Sequence, residues 1–408
     1  MKDGSAPDQW QSVFLRACAA LSPSDWAGRE DAIRRLDGTG WKNISSAAER
    51  YGLTGLVSRG LDWAHQELGV SIPVRESLAR FRQGQLLQLL ARRSAAREVT
   101  NVLAARKIDF VVYKGVALAD EVYGDLSLRA YGDCDILVRP DDADAAFNAL
   151  CELGFAPSAS TNVAQQIANR TAAIAVKRPE LSVDLHWTLS ADDLFMKDTD
   201  IIWAHCTPPE GANALPGRRM SPELMLVNLA EHFCRHSFIE LKPLVDFHIV
   251  AVKCGPRVDP DRLHRLARSL RLDSMVDLTA RLSENLLLPH PMTGRLKHDR
   301  PGIRTRVACA VLTERAIVRT RDPLPTESRL RRLAFGGSVS ATLRAFRTML
   351  LPRVRDLEGR FQRPFDLRMY PQYYAIQMRR VLTRSRNSFD RHAGLAPASS
   401  PPSRRDGE

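Results

Sequence analysis

Two aspartates, Asp133 and Asp135, stand one residue apart at the start of the apolar stretch Ile136 to Val138. The β-branched and apolar residues after them predict a β-strand. On a strand, positions i and i+2 point to the same face and lie roughly 6.6 Å apart along the chain, so both carboxylates can reach one divalent cation. Mg²⁺ is typically held by one or two carboxylates, and water and substrate phosphates complete its octahedron. The pair therefore predicts a metal site that handles phosphoryl groups.

A third aspartate, Asp184, lies in a second alternating stretch, Leu181 to Trp187. Asp184 and His186 share one face of this predicted strand, and the apolar residues between them share the other. If the strand lies beside that of Asp133 and Asp135, the three carboxylates meet. They could then hold two Mg²⁺ ions about 3.5 to 4 Å apart, an arrangement suited to in-line displacement at phosphorus. The alternative for an isolated Asp-x-Asp pair is a solvated turn.

Lys114 and Gly115 directly follow another predicted strand, Asp109 to Tyr113. The glycine permits close approach of the backbone, and the lysine offers a point charge for a phosphate. An ordinary strand-to-helix turn with a solvated lysine is the alternative.

Three further residues are candidates for contacting a nucleotide. Arg129 could clamp a phosphate through two hydrogen bonds, or lie on the surface. His186 could orient a substrate, or be a core histidine. Lys242 could reach the nucleotide, or pair with Asp246 one helical turn later.

His232 and His236 share one face of a predicted helix, a spacing that suits metal binding. The glutamate of the metalloprotease pattern H-E-x-x-H is absent, and this favours packing or support of the site over a zinc centre.

The elements that position these residues predict an α+β protein. Helical periodicity indicates an N-terminal helical region over residues 1–106. A catalytic core with a small mixed sheet follows over 107–207, and further helices over 208–290. A basic helical region is expected over 291–392, including helices at Ser338 to Leu351 and Tyr370 to Thr383, and a disordered tail over 393–408.

Composition narrows the class of protein. The 408 residues are 44% hydrophobic and 26% charged, which is typical of a globular protein. No apolar run approaches the roughly 18 to 20 residues that cross a bilayer, and the first residues do not resemble a signal peptide. We therefore expect a cytoplasmic protein with no membrane partner. The seven cysteines have no C-x-x-C spacing, which favours buried thiols over disulfides.

The net charge of +12 is concentrated near the C-terminus. Residues 301–408 hold 22 arginines, no lysine and 9 acids, a balance of +13, which leaves −1 for the first 300 residues. Such a surplus could attract nucleic acid, acidic substrates or an acidic partner, but an arginine-rich solvated surface on helices is the favoured interpretation.

The motifs resemble a known family. They include Lys114-Gly115, Arg129, Gly132 to Val138 and Val183 to Trp187, together with Leu118-Ala119 and Tyr123-Gly124. These resemble the uncharacterised nucleotidyltransferase family of the polymerase-β-like superfamily, over about Trp41 to Asp246. The superfamily generally has Gly-Ser or Gly-Gly where this chain has Lys114-Gly115.

The resemblance implies transfer of a nucleoside monophosphate from a nucleoside triphosphate such as ATP, with release of pyrophosphate. It implies that Asp133, Asp135 and Asp184 bind Mg²⁺, and that Asp184 accepts the proton of the acceptor. The nucleotide would contact five residues: Lys114, Gly115, Arg129, His186 and Lys242. The acceptor could be a small molecule, a peptide or RNA. A protein that binds a nucleotide or a partner in a biosynthetic pathway without catalysis is the alternative.

Overall fold

The structure is a computed structural model that describes residues 9–157, 163–168, 171–189, 199–209, 211, 214–319 and 366–373. The chain divides into two compact units, Met1–Val339 and Ser340–Glu408. In the second unit, residues 366–373 form a turn that leads into a helical segment. The predicted helix at Ser338 to Leu351, most of the one at Tyr370 to Thr383, and the tail over 393–408 lie outside the described residues. The predicted five-segment division stays a prediction.

The first unit begins with helices only, as the periodicity predicts. They are α1 (Trp10–Ala19), α2 (Glu30–Arg34), α3 (Gly38–Arg50), α4 (Thr54–Leu68) and α5 (Arg75–Ala105). Helices α1 and α4 cross closely because Gly60 has no side chain: a Cβ there would lie 2.2 Å from the carbonyl oxygen of Ala17. The last turns of α5 carry Ala96, Val99 and Leu103, which are buried against the sheet that follows.

A five-stranded mixed sheet forms the centre of the chain. Its strands are β1 (Phe110–Tyr113), β2 (Asp133–Val138), β3 (Ala156–Pro157), β4 (Ala173–Arg178) and β5 (Leu181–His186), in the order β1-β2-β5-β4-β3. Strands β2 and β5 pair in parallel, and the other neighbours are antiparallel. The predicted α+β class, with a small mixed sheet between helical regions, is confirmed.

The two faces of the sheet differ in chemistry. On one face, the cross-strand row Val112, Ile136, Leu185 and Ile174 packs in a buried apolar cluster. Helix α5 and helix α7 (Ala143–Glu152) cover this face. The period-2 alternation of the strands therefore directs the polar side chains of β2 and β5 to the opposite face.

Short elements connect the strands. Helix α6 (Gly115–Leu118) continues as one turn of π-helix over Ala119–Tyr123, and α8 (Val163–Ala168) and α9 (Thr199–Ala204) flank the β4–β5 hairpin. Strands β6 (Cys206–Thr207) and β7 (Arg219–Met220) form a second, antiparallel sheet of two strands, and each strand has two residues. Strands β3, β6 and β7 are not predicted from the sequence, because two residues are too few to show a period.

Helices follow the sheets within the first unit. They are α10 (Pro222–Arg235), α11 (Lys242–Lys253), α12 (Pro260–Ser269), α13 (Asp273–Leu286), α14 (Pro291–Arg295), α15 (Ile303–Val311) and α16 (Glu314–Ile317). The sequence predicts four of these helices, at Leu224 to His236, Leu241 to Val252, Pro260 to Leu270 and Ser274 to Leu287, and the ends of α10 to α13 lie within two residues of those limits. Pro in the first turn marks the starts of α10 and α12.

All seven cysteines are free thiols, and five are buried. Over the described ranges, no helix combines the length and the apolar character that crossing a bilayer requires.

Candidate active site

The polar face of the sheet carries one row of side chains that belong to different strands. Asp135 on β2 lies opposite Tyr113 on β1 and opposite Asp184 on β5. Residues that pair directly across neighbouring strands project from the same face, with Cβ atoms about 4.5 to 5.5 Å apart. The parallel register of β2 and β5 thus brings together two aspartates that are 49 positions apart in the sequence.

His186 completes a group with these two acids. Asp135, Asp184 and His186 each offer one possible ligand atom, and these atoms lie within 4.8 Å of one another. Nε2 of His186 is 3.4 Å from Oδ1 of Asp135, and the His186 ring packs edge-on against Tyr113 with centroids 5.6 Å apart. Within the described part of the chain, neither ring nitrogen of His186 makes a hydrogen bond.

Asp133 lies on the same face, two positions before Asp135 and opposite Ser182 of β5. It does not belong to the three-residue group, but its charge acts on the pKa of Asp184. Asp133 and Asp184 are partly exposed, whereas Asp135 is only 8% exposed. The three acids therefore share one face of the sheet, and solvent reaches two of them.

The acids differ in their electrostatic surroundings. Burial, followed by the charge of Asp135, raises the pKa of Asp133 and of Asp184. Burial also acts to raise the pKa of Asp135, but the Lys114 ammonium and the His186 ring outweigh it and lower that pKa to about 2. Asp135 is thus ionised, and the two acids beside it are destabilised as anions unless a cation joins them.

Lys114 supplies a positive charge at this face in an unusual backbone conformation. Its φ is 50° and its ψ is −136°, a region that glycine adopts without strain and other residues seldom adopt. The Lys114 ammonium lies 5.1 Å from the Tyr113 ring centroid and 3.5 Å from Nδ1 of His232 on α10. The turn after β1 therefore holds the lysine between the acids and α10.

Gly115 packs directly on the strand of the acids. A Cβ at Gly115 would lie 2.7 Å from the backbone carbonyl oxygen of Asp133, too close for any side chain. The carbonyl oxygen of Gly115 accepts a hydrogen bond of 2.9 Å from the Arg129 guanidinium. The turn at Gly115 is thus fixed from both sides.

Arg129 is buried and forms an ion pair with Asp246 of α11. Its Nε donates to Oδ1 of Asp246 at 2.9 Å, and NH2 donates to Oδ2 at 2.7 Å. The Tyr123 hydroxyl donates to the same carboxylate at 2.7 Å. Burial acts to lower the pKa of Arg129, but the Asp246 charge outweighs it and raises that pKa above its usual value. Three N–H groups of the guanidinium therefore donate to Asp246 and to the Gly115 backbone, and none of these three donates to Asp133, Asp135 or Asp184.

Lys242 lies at the start of α11, where its ammonium donates to the carbonyl oxygen of Ala130 at 3.1 Å. Asp246, the alternative partner one turn later, is paired with Arg129. Burial, followed by the charge of Arg129, lowers the pKa of Lys242, and the Asp133 charge acts in the opposite direction. The Lys242 side chain thus lies near both the Arg129–Asp246 ion pair and Asp133.

His232 and His236 of the α10 C-terminal end form a second group with Glu240. Nδ1 of His232 is 2.8 Å from NH2 of Arg235 and 3.5 Å from the Lys114 ammonium. Since both neighbours are cations that can only donate, Nδ1 of His232 is the acceptor. Burial, followed by the Lys114 charge, lowers the pKa of His232 to about 3.

Two features of the site have no signal in the sequence. Tyr113 joins the row of acids only through the register of β1 with β2, and its buried hydroxyl has no hydrogen-bond partner among the described residues. Glu240 reaches the two histidines from the loop after α10, with Oε1 2.6 Å from Nδ1 of His236. A helix-spacing rule cannot find a ligand that lies outside the helix.

The donor set fits a hard divalent cation. Carboxylate oxygens are the ligands that Mg²⁺ prefers. Burial, followed by the charge of Asp135, raises the pKa of Asp133 and of Asp184, and so disfavours their negative charges. A divalent cation would compensate those charges.

The sequence predicts that an Asp-x-Asp pair meets a third acid if their two strands are neighbours, and β2 and β5 are neighbours. The chain belongs to the uncharacterised nucleotidyltransferase family, whose model matches residues 37–287. No curated protein matches the sequence significantly.

Among solved structures, the chain is similar to ANT(2")-Ia, crystallised in complex with adenylyl-2"-tobramycin. The identity is 13%, the match covers 42% of this chain and 92% of that one, and the TM-score is 0.31. A similarity of this size says nothing about the acceptor.

Proposed function

We propose that the protein is a Mg²⁺-dependent nucleotidyltransferase that moves a nucleoside monophosphate from a nucleoside triphosphate to a hydroxyl or similar group of an acceptor. The observation that supports this most directly is the pairing of Asp135 with Asp184 on parallel strands, with Asp133 on the same face. The mutual repulsion of three carboxylates on one face destabilises their ionised forms, and a bound cation would relieve it.

Asp133, Asp135 and Asp184 are the residues that would hold the metal. When bound, Mg²⁺ neutralises charge on the phosphates and orients the attacking and leaving oxygens in line. Asp133 and Asp184 are both partly exposed and both have a raised pKa, and the family resemblance favours Asp184 of the two as the acceptor of the proton from the acceptor hydroxyl. Asp135, buried and ionised, is better suited to permanent ligation.

The residues around the acids position the triphosphate. Lys114 places an ammonium beside the acids, where it can contact a phosphate of the triphosphate. Gly115 keeps the turn close to β2, and His186 lies beside Asp135, where it can contact the substrate. Arg129 acts through the backbone: it fixes the Gly115 carbonyl and so positions the turn, in place of a direct clamp on phosphate. Lys242 borders the nucleotide site beside Arg129.

The substrates are then a triphosphate, with ATP as the first candidate, and an acceptor that could be a small molecule, a peptide or RNA. The cytoplasmic location stays a prediction from the sequence.

The test is release of pyrophosphate from labelled triphosphates, with cell extract as the source of acceptor. We expect Mg²⁺-dependent release with the native protein, and loss of at least about a thousandfold in Asp133→Asn, Asp135→Asn and Asp184→Asn, because each removes a ligand charge that stabilises the transition state. Asp144→Asn on α7 is the matched control, since Asp144 is exposed on the far side of the apolar core.

Circular dichroism of each variant checks that folding is unchanged. Full activity in Asp135→Asn would reject the proposal. Mg²⁺-dependent binding of a triphosphate in calorimetry without any pyrophosphate release would support the non-catalytic alternative.

A further inference from the structure

A third group of metal-ligand residues lies in the helices after the sheets, apart from the acids. His264 of α12, Asp273 at the first turn of α13 and His298 in the segment after α14 each offer one ligand atom, and these atoms lie within 4.8 Å of one another. The three residues come from three different segments. The fold therefore brings the three residues together, and their spacing in the sequence does not predict the group.

Two atoms of this group, on His264 and Asp273, face each other without a hydrogen-bond partner among the described residues. Nδ1 of His264 is 3.6 Å from Oδ1 of Asp273, too far for a hydrogen bond, and neither buried atom has any other hydrogen-bond partner among the described residues. A buried polar atom without a partner is costly and calls for an explanation. Here an imidazole nitrogen and a carboxylate oxygen lie 3.6 Å apart, and both are unpartnered among the described residues.

The separation of these two atoms suits a shared metal ion. Zn²⁺ lies about 2.0 to 2.1 Å from nitrogen and oxygen ligands, which places two tetrahedral ligands about 3.3 Å apart. Nε2 of His298 makes a hydrogen bond of 2.8 Å with Oδ2 of Asp273, so this contact holds the third candidate ligand at the same carboxylate. The rings of His264 and His298 stack with centroids 4.7 Å apart and an angle of 29°, so both present their edges to the same carboxylate.

The backbone supports the position of His298. Its N–H donates to Oδ1 of Asp277 at 2.9 Å, and its carbonyl oxygen accepts from Arg281. The His298 side chain is 32% exposed and that of Asp273 is 28% exposed, so an ion could enter and a water could complete its coordination. A ligand held by its own main chain loses little entropy on binding.

We propose that His264, Asp273 and His298 bind a divalent transition-metal ion of the Zn²⁺ type, which ties the segment after α14 to the corner of α12 and α13. Two imidazoles and one carboxylate select this class over Mg²⁺, which prefers oxygen ligands. The group of His232, His236 and Glu240 is a poorer candidate, since the Lys114 and Arg235 cations lie beside His232.

The test is titration of metal-free protein with Zn²⁺ in excess Mg²⁺, so that Mg²⁺ occupies the carboxylate site. We expect one tight Zn²⁺ per chain. The affinity should fall by more than about tenfold in His264→Gln and in His298→Gln, because each removes a ligand. Co²⁺ should show the visible absorption of a four-coordinate ion in the native protein and lose it in both variants.

Two controls separate this site from the others. The double variant His232→Gln/His236→Gln should keep native Zn²⁺ affinity, and loss of binding in that variant alone would overturn the proposal. Anomalous diffraction from native crystals soaked in Zn²⁺ avoids any risk of unfolded variants: a peak between His264, Asp273 and His298 supports the proposal, and its absence there refutes it.

Discussion

The buried pair of Arg129 and Asp246 gives the sharpest expectation for stability. In Arg129→Met, Asp246 keeps only the Tyr123 hydroxyl and loses the two charge-assisted hydrogen bonds from Arg129. Hydrogen bonds to charged groups contribute about 1.5 to 3 kcal/mol each, which gives about 3 to 6 kcal/mol for two. Removal of one partner of a buried ion pair typically costs about 3 to 5 kcal/mol, which is a separate estimate of the same loss. We therefore expect a loss of about 4 kcal/mol in the free energy of unfolding.

Urea unfolding followed by circular dichroism and tryptophan fluorescence measures this loss. Tyr123→Phe is the matched control, because it removes one hydrogen bond to Asp246 and leaves the ion pair, so it should cost less than Arg129→Met. The double variant Arg129→Met/Asp246→Leu leaves no uncompensated charge and should recover most of the stability. A single variant that loses under about 1 kcal/mol, or a double variant no more stable than the single, would refute the reasoning.

The same double variant separates stability from function. It lacks the hydrogen bond from Arg129 to the Gly115 carbonyl oxygen even where the fold is recovered. We expect its nucleotidyl transfer to stay low, because the turn at Gly115 is then held from one side only. Native activity in the recovered double variant would show that Arg129 matters for folding alone.

Three further outcomes follow from the same contacts. Lys114→Gly should be more stable than Lys114→Ala by about 1 to 3 kcal/mol in urea unfolding, because glycine relieves the strain at φ 50°, while both variants should lose affinity for the triphosphate in calorimetry; equal stabilities would contradict this. Gly115→Ala should lower turnover with Mg²⁺ and triphosphate saturating, since a Cβ 2.7 Å from the Asp133 carbonyl oxygen must displace β2 or the turn, and unchanged kcat would argue against a tight turn. Burial, followed by the charge of His290, lowers the pKa of His248 from 6.5 to about 4, so the unfolded state binds more protons between these values and stability falls as the pH drops through that window. The loss from pH 7 to pH 4 should be about 3 kcal/mol smaller in His248→Gln than in the native protein, as measured by urea unfolding at each pH, and parallel curves would exclude the contribution.

The sequence alone determined the local elements and the chemical character of the site. The alternation of apolar and polar residues placed Asp133 and Asp135 on one face of one strand and Asp184 on the polar face of another, because the side-chain period of a strand is two. Helix limits were predictable where Pro or a capping residue stands at the start, as at Pro222 and Pro260.

Only the tertiary structure decided which strands are neighbours and in what register. A shift of one residue between β2 and β5 would turn Asp184 away from Asp135, and nothing local fixes that register. The same holds for Arg129, whose partner Asp246 lies on a helix beyond the sheet, and for the meeting of His264, Asp273 and His298. Such contacts depend on how distant elements pack against one another. A polar side chain becomes buried, and so needs a partner, only when those elements have packed.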